Sequence, residues 1–302
     1  MKVAVLGPGG VGGLVAGALD RAGTPVLVLA REETVATIST RGLHVSSVLL
    51  GDFTTWPRVD SRLHEPVDAL LVATKAAGLQ AALERVETSP PLVLPLLNGL
   101  DHIAVLRRRF GEEAVVAGTI RVEADRPEPG VVVHTSRFLR VDMASEYEAA
   151  RAPMQALAST LSDAGIPARV GDSEPEVMWS KLVRLNALAC TTSAFDKLLG
   201  EIRSTPDLRA ELLGAIEEGC AVAQAEGASI MSGDPLGELT AAHDTLGSSM
   251  QRDIAAGRPP ELDAIAGSVL RAAARHGIEC PTIERLVAMI AARAGIAAPS
   301  VA

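Results

Sequence analysis

Two short stretches in the second half of the chain hold side chains able to move a proton or hold an anion. In Met178-Trp179-Ser180-Lys181-Leu182 a lysine sits in an otherwise apolar helical pattern, with Met178 at i−3 and Leu185 at i+4. Loss of solvation against such neighbours disfavours the ammonium and would move its pKa from about 10.4 toward the 7–8 useful to a general acid. Position alone favours a plainer account, a lysine whose stem covers apolar surface while its head stays in water. The second stretch is Ser248-Ser249-Met250-Gln251-Arg252-Asp253, followed by Pro260-Glu261-Leu262. Ser249 offers a hydroxyl near a helix start, and Glu261 a carboxylate at the first residue of the next helix. From position alone both also read as ordinary helix N-terminal residues.

The other end of the chain says what such groups would act beside. Gly7-Pro8-Gly9-Gly10-Val11-Gly12 fits G-x-G-x-x-G, with Gly7, Gly9 and Gly12 at the glycine places. The first glycine permits a tight turn, the second lets backbone approach a pyrophosphate, and the third lets the next helix pack closely. The apolar run 2–6 precedes the loop, a small-residue helical stretch 10–22 follows it, and the apolar run 25–30 ends at Arg31. That is a βαβ unit in about thirty residues, the context that separates a dinucleotide site from a chance glycine turn. An Asp or Glu after the second strand suits the ribose hydroxyl of NAD, and an Arg suits a 2′-phosphate. Arg31 comes first here, a planar fork that matches phosphate, so NADPH is the expected cofactor; Glu32 serving NAD is the alternative. A carbonyl carbon that receives hydride from a nicotinamide needs a neighbouring proton donor, and Lys181 is a candidate.

The elements that must position these residues follow from periodicity. Residues 69–74 and 92–97 read as buried strands ending at Lys75 and at Asn98-Gly99. In a doubly wound sheet both would emerge on the rim that carries the glycine loop. Taken singly, Lys75 is equally a solvated lysine and Asn98-Gly99 a plain turn. A further strand is expected over 114–120, then a hairpin of 131–134 with 138–141 introduced by the turn-rich 126–130, then a helix over 149–164 and a short strand at 168–170. His134, inside a strand pattern, reads as structural. After Gly171-Asp172 only helical spacing remains, with helices over 174–189, 206–226, 235–246, 261–276 and 281–293. The fold class is α/β: a Rossmann dinucleotide-binding domain over 1–171 and an all-α domain over 172–302.

Composition narrows the rest. At 302 residues two domains are the prior. A net charge of −9 repels phosphate backbones, and 2% aromatic residues are too few for base stacking, so no nucleic-acid partner is expected. An anionic substrate must therefore meet a local basic pocket. Cys190, Cys220 and Cys280 lie far apart with no metal-ligand spacing, as reduced thiols in a cytoplasmic protein do. No leader is expected, since Lys2 runs at once into a core strand, and no apolar run approaches the roughly twenty residues of a membrane span.

The ordered set of the GPGGVG loop, Arg31, Thr74-Lys75, Asn98-Gly99, the W-x-K-L at Trp179 to Leu182 and S-S-M-x-x-D…E from Ser248 to Glu261 resembles the ketopantoate reductase (2-dehydropantoate 2-reductase) family along nearly the whole chain. The resemblance implies NADPH as reductant, with the cofactor met by Gly7, Pro8, Gly9, Gly10, Val11, Gly12, Arg31, Lys75 and Asn98. It implies Lys181 as the acid that protonates the ketone oxygen while hydride reaches C2. Asn98 would position the ketone and the nicotinamide, Ser249 would bind the substrate carboxylate, and Glu261 would hold the lysine or a substrate hydroxyl. The helical domain would bind substrate and leaves a homodimer open.

One departure bears on the substrate. The family commonly carries asparagines four and eight residues after the lysine, where this chain has Leu185 and Ala189. Asn186 points about 100° away from Leu185 on a helix. Arg184, at i+3 from Lys181, reads equally as a second cation for the substrate or as a solvated arginine. The expected activity is NADPH-dependent reduction of a small branched 2-oxo acid to the 2-hydroxy acid, with 2-dehydropantoate as the leading substrate. The alternatives are another 2-oxo or 3-hydroxy acid dehydrogenase on the same plan, or an NADP(H)-binding sensor without chemistry, which leaves Lys181 and Glu261 unexplained.

Overall fold

The computed structural model describes residues 1–300. It divides into two units, one of residues 1–97 and 102–177, the other of residues 98–101 and those from Met178 onward.

Five parallel strands form the first unit's main sheet, in the order β5 (Arg58–Asp60), β2 (Val26–Leu29), β1 (Val3–Leu6), β6 (Ala69–Val72), β7 (Val93–Pro95). The three inner strands, VAVL, VLVL and ALLV, are buried at every residue, which explains why they read as unbroken apolar runs. Helix α1 (Gly10–Arg21) links β1 to β2 and α3 (Leu79–Leu83) lies between β6 and β7, while α2 (Glu32–Arg41) follows β2 and α4 (His102–Phe110) follows β7.

A second sheet runs β4 (Phe53–Thr55), β3 (Leu43–Ser47), β10 (Val131–His134), β9 (Ala124–Glu128), and a third β12 (Ala168–Val170), β11 (Arg140–Ala144), β8 (Ala117–Arg121). Between β11 and β12 lies α5 (Glu148–Asp163). Helix α1 reaches the second sheet through its glycines: a Cβ on Gly13 would stand 2.5 Å from Val132, and one on Gly17 2.8 Å from Val45.

The expected hairpin of 131–134 with 138–141 is not formed. β10 pairs instead with β9 and β3, while β11 pairs with β8 and β12 in another sheet. The reversal falls earlier, at Gly130 (φ +79°), and much of the segment read as a turn is strand β9. Its proline, Pro127, is tolerated because β9 is an edge strand. The Ser136 hydroxyl accepts from the Glu123 amide and donates to the Phe138 carbonyl, bending the chain between the two sheets. His134 is buried between Ser47 (2.8 Å) and Ser136 (3.1 Å), a structural placement, and burial pushes its imidazole below the usual pKa.

The second unit is helical. Its elements are α6 (Glu174–Phe195, of which residues from Met178 belong here), α7 (Leu199–Ser204), α8 (Pro206–Ala225), α9 (Gly233–Ala241), α10 (Ser249–Ala255), α11 (Ser268–His276) and α12 (Pro281–Ala294). They close on one apolar core that includes Trp179, Val183, Ile216, Ile265 and Leu286. Helix α6 outruns its expected end at 189. The hydroxyls of Thr191 and Thr192 bond the carbonyls of Ala187 and Leu188 one turn back, so residues that usually favour loops are satisfied inside the helix. α9 stops at Ala241, short of the expected 246, where Arg203 collects the carbonyls of Leu239, Thr240 and Ala242. The helix expected from 261 opens with a wide π turn, Asp263–Gly267, before α11 begins. No helix of the described residues is long and apolar enough to cross a membrane.

Candidate active site

In the first unit the glycine loop follows β1 and leads into α1. Gly7 has φ +92°, a conformation that only glycine adopts cheaply, and its amide donates to the Leu29 carbonyl. A Cβ on Gly12 would stand 2.2 Å from the Gly7 carbonyl oxygen and 2.9 Å from the Ala73 side chain, so this glycine serves close packing of α1 on the sheet. Gly10 serves packing too, because a Cβ there would meet the Ala124 carbonyl oxygen at 2.3 Å. Gly9 is different. Its φ of −76° suits any residue, and nothing lies within 4 Å of where its Cβ would be. Neither conformation nor protein packing calls for glycine there, whereas the close approach of a pyrophosphate does. Beside the loop the Thr74 methyl abuts Gly7, and the Thr74 hydroxyl oxygen is buried with no protein hydrogen-bond partner. These features fit a dinucleotide.

Arg31, exposed at the end of β2, is the N-cap residue of α2 and has no ion-pair partner among the described residues. Glu32, its rival for the adenosine ribose, is held by the Arg85 guanidinium at 3.1 Å, which keeps its carboxyl below the usual pKa range. Lys75 is exposed at the start of a 3₁₀ turn, Ala76–Gly78, in the same unit.

The second unit assembles the remaining candidates. Lys181 is only 8% exposed, on α6. Its Nζ donates to Asn98 Oδ1 at 2.9 Å, and Asn98 Nδ2 donates to Glu261 Oε2 at 3.0 Å. Ammonium donates only and carboxylate accepts only, so this amide orientation is the one that satisfies both neighbours. The result is a relay, Lys181–Asn98–Glu261, with cation and anion joined through one amide. Asn98 belongs to this unit because the four residues 98–101 do.

The two serines of the S-S-M stretch divide their work. Ser248, buried, is the N-cap of α10: it accepts from the Gln251 amide and takes a hydrogen bond from Thr192. Ser249, the first residue of α10, is exposed. Arg184, its side chain 14% exposed, is ion-paired with Glu238 of α9 at 3.2 Å, an anion with which a substrate carboxylate would compete. Leu185 is half-buried one turn beyond Lys181, and Ala189 is wholly buried. Asn186 is also 0% exposed, touched at Oδ1 by the Cys190 thiol. Of the residues singled out from sequence, Lys181, Asn98 and Glu261 are thus brought into one hydrogen-bonded chain. The Arg85 hold on Glu32 had no local signal, since a distant arginine is ordinary in sequence, and Thr74 entered only as part of the Thr74-Lys75 pair, with no role for its hydroxyl.

A parallel sheet with a glycine loop at the end of its central strand, followed by a helical unit that buries a lysine against an amide, defines a two-domain dinucleotide-dependent oxidoreductase. Comparison with known proteins narrows the class. The model of the ketopantoate reductase PanE/ApbA family matches residues 3–144, and that of its C-terminal domain residues 176–294. The 2-dehydropantoate 2-reductase of Halobacterium salinarum is 30% identical over 96% of this chain and 98% of its own length. Among solved structures, the 2-dehydropantoate 2-reductase of Geobacter metallireducens superposes with a TM-score of 0.87 at 26% identity, covering 96% of this chain and 99% of that one. A D-mandelate dehydrogenase solved with NADH and anilino(oxo)acetate superposes at 0.89 and 22% identity, covering 98% and 99%, a likeness of fold. The chain belongs to the ketopantoate reductase family and is an oxidoreductase.

Proposed function

We propose that the protein reduces a small branched 2-oxo acid to the 2-hydroxy acid with NADPH, the 2-dehydropantoate-to-pantoate type of reaction. The observation that carries this reading is the Lys181–Asn98–Glu261 relay. Reduction of a ketone develops negative charge on its oxygen, and a buried lysine ammonium can quench that charge with a proton. Asn98 fixes the lysine's direction from one side of its amide and is itself fixed by Glu261 from the other. Ser249 offers an exposed hydroxyl for the substrate carboxylate. The bound cofactor supplies the hydride. Gly9 leaves room for its pyrophosphate, and Arg31 meets the 2′-phosphate while Arg85 occupies Glu32. Membership of a family whose Halobacterium member is named a 2-dehydropantoate 2-reductase supports the substrate class.

One residue favours a second reading within that class. Leu185, on the lysine's side of α6, presents no donor or acceptor, and a substrate hydroxyl buried against it would lose roughly 1–3 kcal/mol. A branched oxo acid with a purely apolar side chain suits it better. Oxidation of NADPH against ketopantoate, 2-ketoisovalerate and a set of 3-oxo acids separates the readings. Comparable kcat/KM for the first two is expected from Leu185. A preference for ketopantoate of about a hundredfold or more would mean that other groups bond its hydroxyl. Turnover of 3-oxo acids alone, or of none, would end the proposal.

A further inference from the structure

The other two members of the relay are each followed closely by an aspartate: Asn98 by Asp101, and Glu261 by Asp263. One guanidinium joins the two aspartates. Arg271 of α11 donates from Nη2 to Asp101 Oδ2 at 2.7 Å and from Nη1 to Asp263 Oδ1 at 2.8 Å, with a further bond from Nη2 to the Asp263 carbonyl at 3.0 Å. It also donates to the Ser300 carbonyl. Between these ends the backbones meet directly. Gly99 has φ +86°, and a Cβ on it would stand 1.9 Å from the carbonyl oxygen of Ala264, inside the π turn. The wide turn sends the Ser268 amide back to the Asp263 carbonyl, five residues earlier, and Arg271 binds the same carbonyl. Leu100 packs on the helical core. The segment 98–101 is therefore fastened to the turn after Glu261 at its middle and at its end.

We propose that Arg271 is a positioning residue for the relay: by bridging Asp101 and Asp263 it sets the spacing of Asn98 from Glu261, and so the aim of the amide that holds Lys181. The proposal rests on the reading of Lys181 as the proton donor. Arginine is the residue this task needs, because its planar fork serves two carboxylates and a carbonyl in fixed directions, which the single ammonium of lysine does not. A pair of partly exposed aspartates adds little stability by itself. Its value lies in geometry, since misplacement of a reacting group by about 1 Å can cost on the order of a hundredfold in rate.

The test uses the full chain with Arg271→Gln, Arg271→Lys and Asp101→Asn, each alone and combined with Asn98→Ala. Three quantities are read: kcat and KM for the better of ketopantoate and 2-ketoisovalerate, the NADPH dissociation constant, and the Asn98 side-chain amide signal in ¹⁵N NMR, assigned by its loss in Asn98→Ala. Arg271→Gln should lower kcat about 10- to 100-fold, leave NADPH affinity within about twofold and move the Asn98 signal. Arg271→Lys should recover only part of the rate. In the Asn98→Ala background the same change should cost less than about twofold, because residues acting through one another are not additive. Losses that multiply in that background, or an unmoved Asn98 signal with full activity, would overturn the proposal. If no oxo acid is turned over and the signal still moves, the activity reading fails while the positioning of Asn98 by Arg271 stands. Should Arg271→Gln not fold, Asp101→Asn alone carries the same comparison.

Discussion

The glycine loop and the lysine relay are built from different parts of the polypeptide. The loop is six consecutive residues whose contribution is backbone: a left-handed turn at Gly7, bare surface at Gly9, and close contact at Gly10 and Gly12. The relay is three side chains, with Lys181 83 positions and Glu261 163 positions along the chain from Asn98, and every link is a terminal polar atom. A backbone site is set by one short run of chain and the strands it packs against. A side-chain site holds its shape only if each contributor is anchored by something else: the core under α6, the fit of Gly99 onto Ala264, the bridge from Arg271. The loop should therefore fail by clash or loss of contact at a single residue, and the relay by loss of aim.

The largest expected effect is at the relay. Lys181→Ala should lower turnover about 10²–10⁴-fold with NADPH binding intact, and wild-type reduction should fall as pH rises through the lysine's pKa in the complex, since only the ammonium donates. Near-normal turnover in that variant would move the acid to another residue, with Lys75 next in line. For the loop side, Arg31→Ala should weaken NADPH binding by roughly 1.5–3 kcal/mol and hardly change NADH binding. Equal losses for both cofactors would return the discrimination to Glu32 despite its bond to Arg85.

Two glycines sharpen the contrast within the loop itself. Gly9→Ala should leave the melting temperature unchanged and weaken dinucleotide binding about tenfold, because the added methyl meets only the ligand's space. Gly12→Ala should lower both, because its methyl meets the Gly7 carbonyl. If Gly9→Ala binds NADPH normally, the loop does not approach a pyrophosphate there. The smallest effect concerns neither site. His134 is buried with its pKa depressed below the unfolded value of about 6.5, so its contribution to stability is present above that pH and is lost as pH falls toward the folded value. The melting temperature should decline as pH falls below about 6.5 and decline less in His134→Gln. Parallel slopes for both proteins would assign the acid sensitivity to other groups.

What could be read without coordinates is what local chain physics dictates. Runs such as VAVL and VLVL are apolar throughout because both faces of their sheet are covered, and glycine spacing reports a turn before any partner is known. The helical second half announced itself by periodicity, although the back-bonded hydroxyls of Thr191 and Thr192 carried α6 past its expected end. The β9–β10 reversal was missed because an edge strand that tolerates prolines is composed like a turn.

Lys181, Asn98 and Glu261 were each visible, but taken singly their positions had plain alternatives: a snorkelling lysine, a turn asparagine, a helix-start glutamate. Sequence determined the elements, because hydrogen bonding and burial within a strand or helix depend on neighbours a few residues away. Only tertiary structure assigned residues 98–101 to the helical unit, drew Glu32 to Arg85, and joined a lysine, an amide and a carboxylate into one chain. Those links depend on sub-ångström placement of side-chain tips from distant segments, which no local pattern encodes.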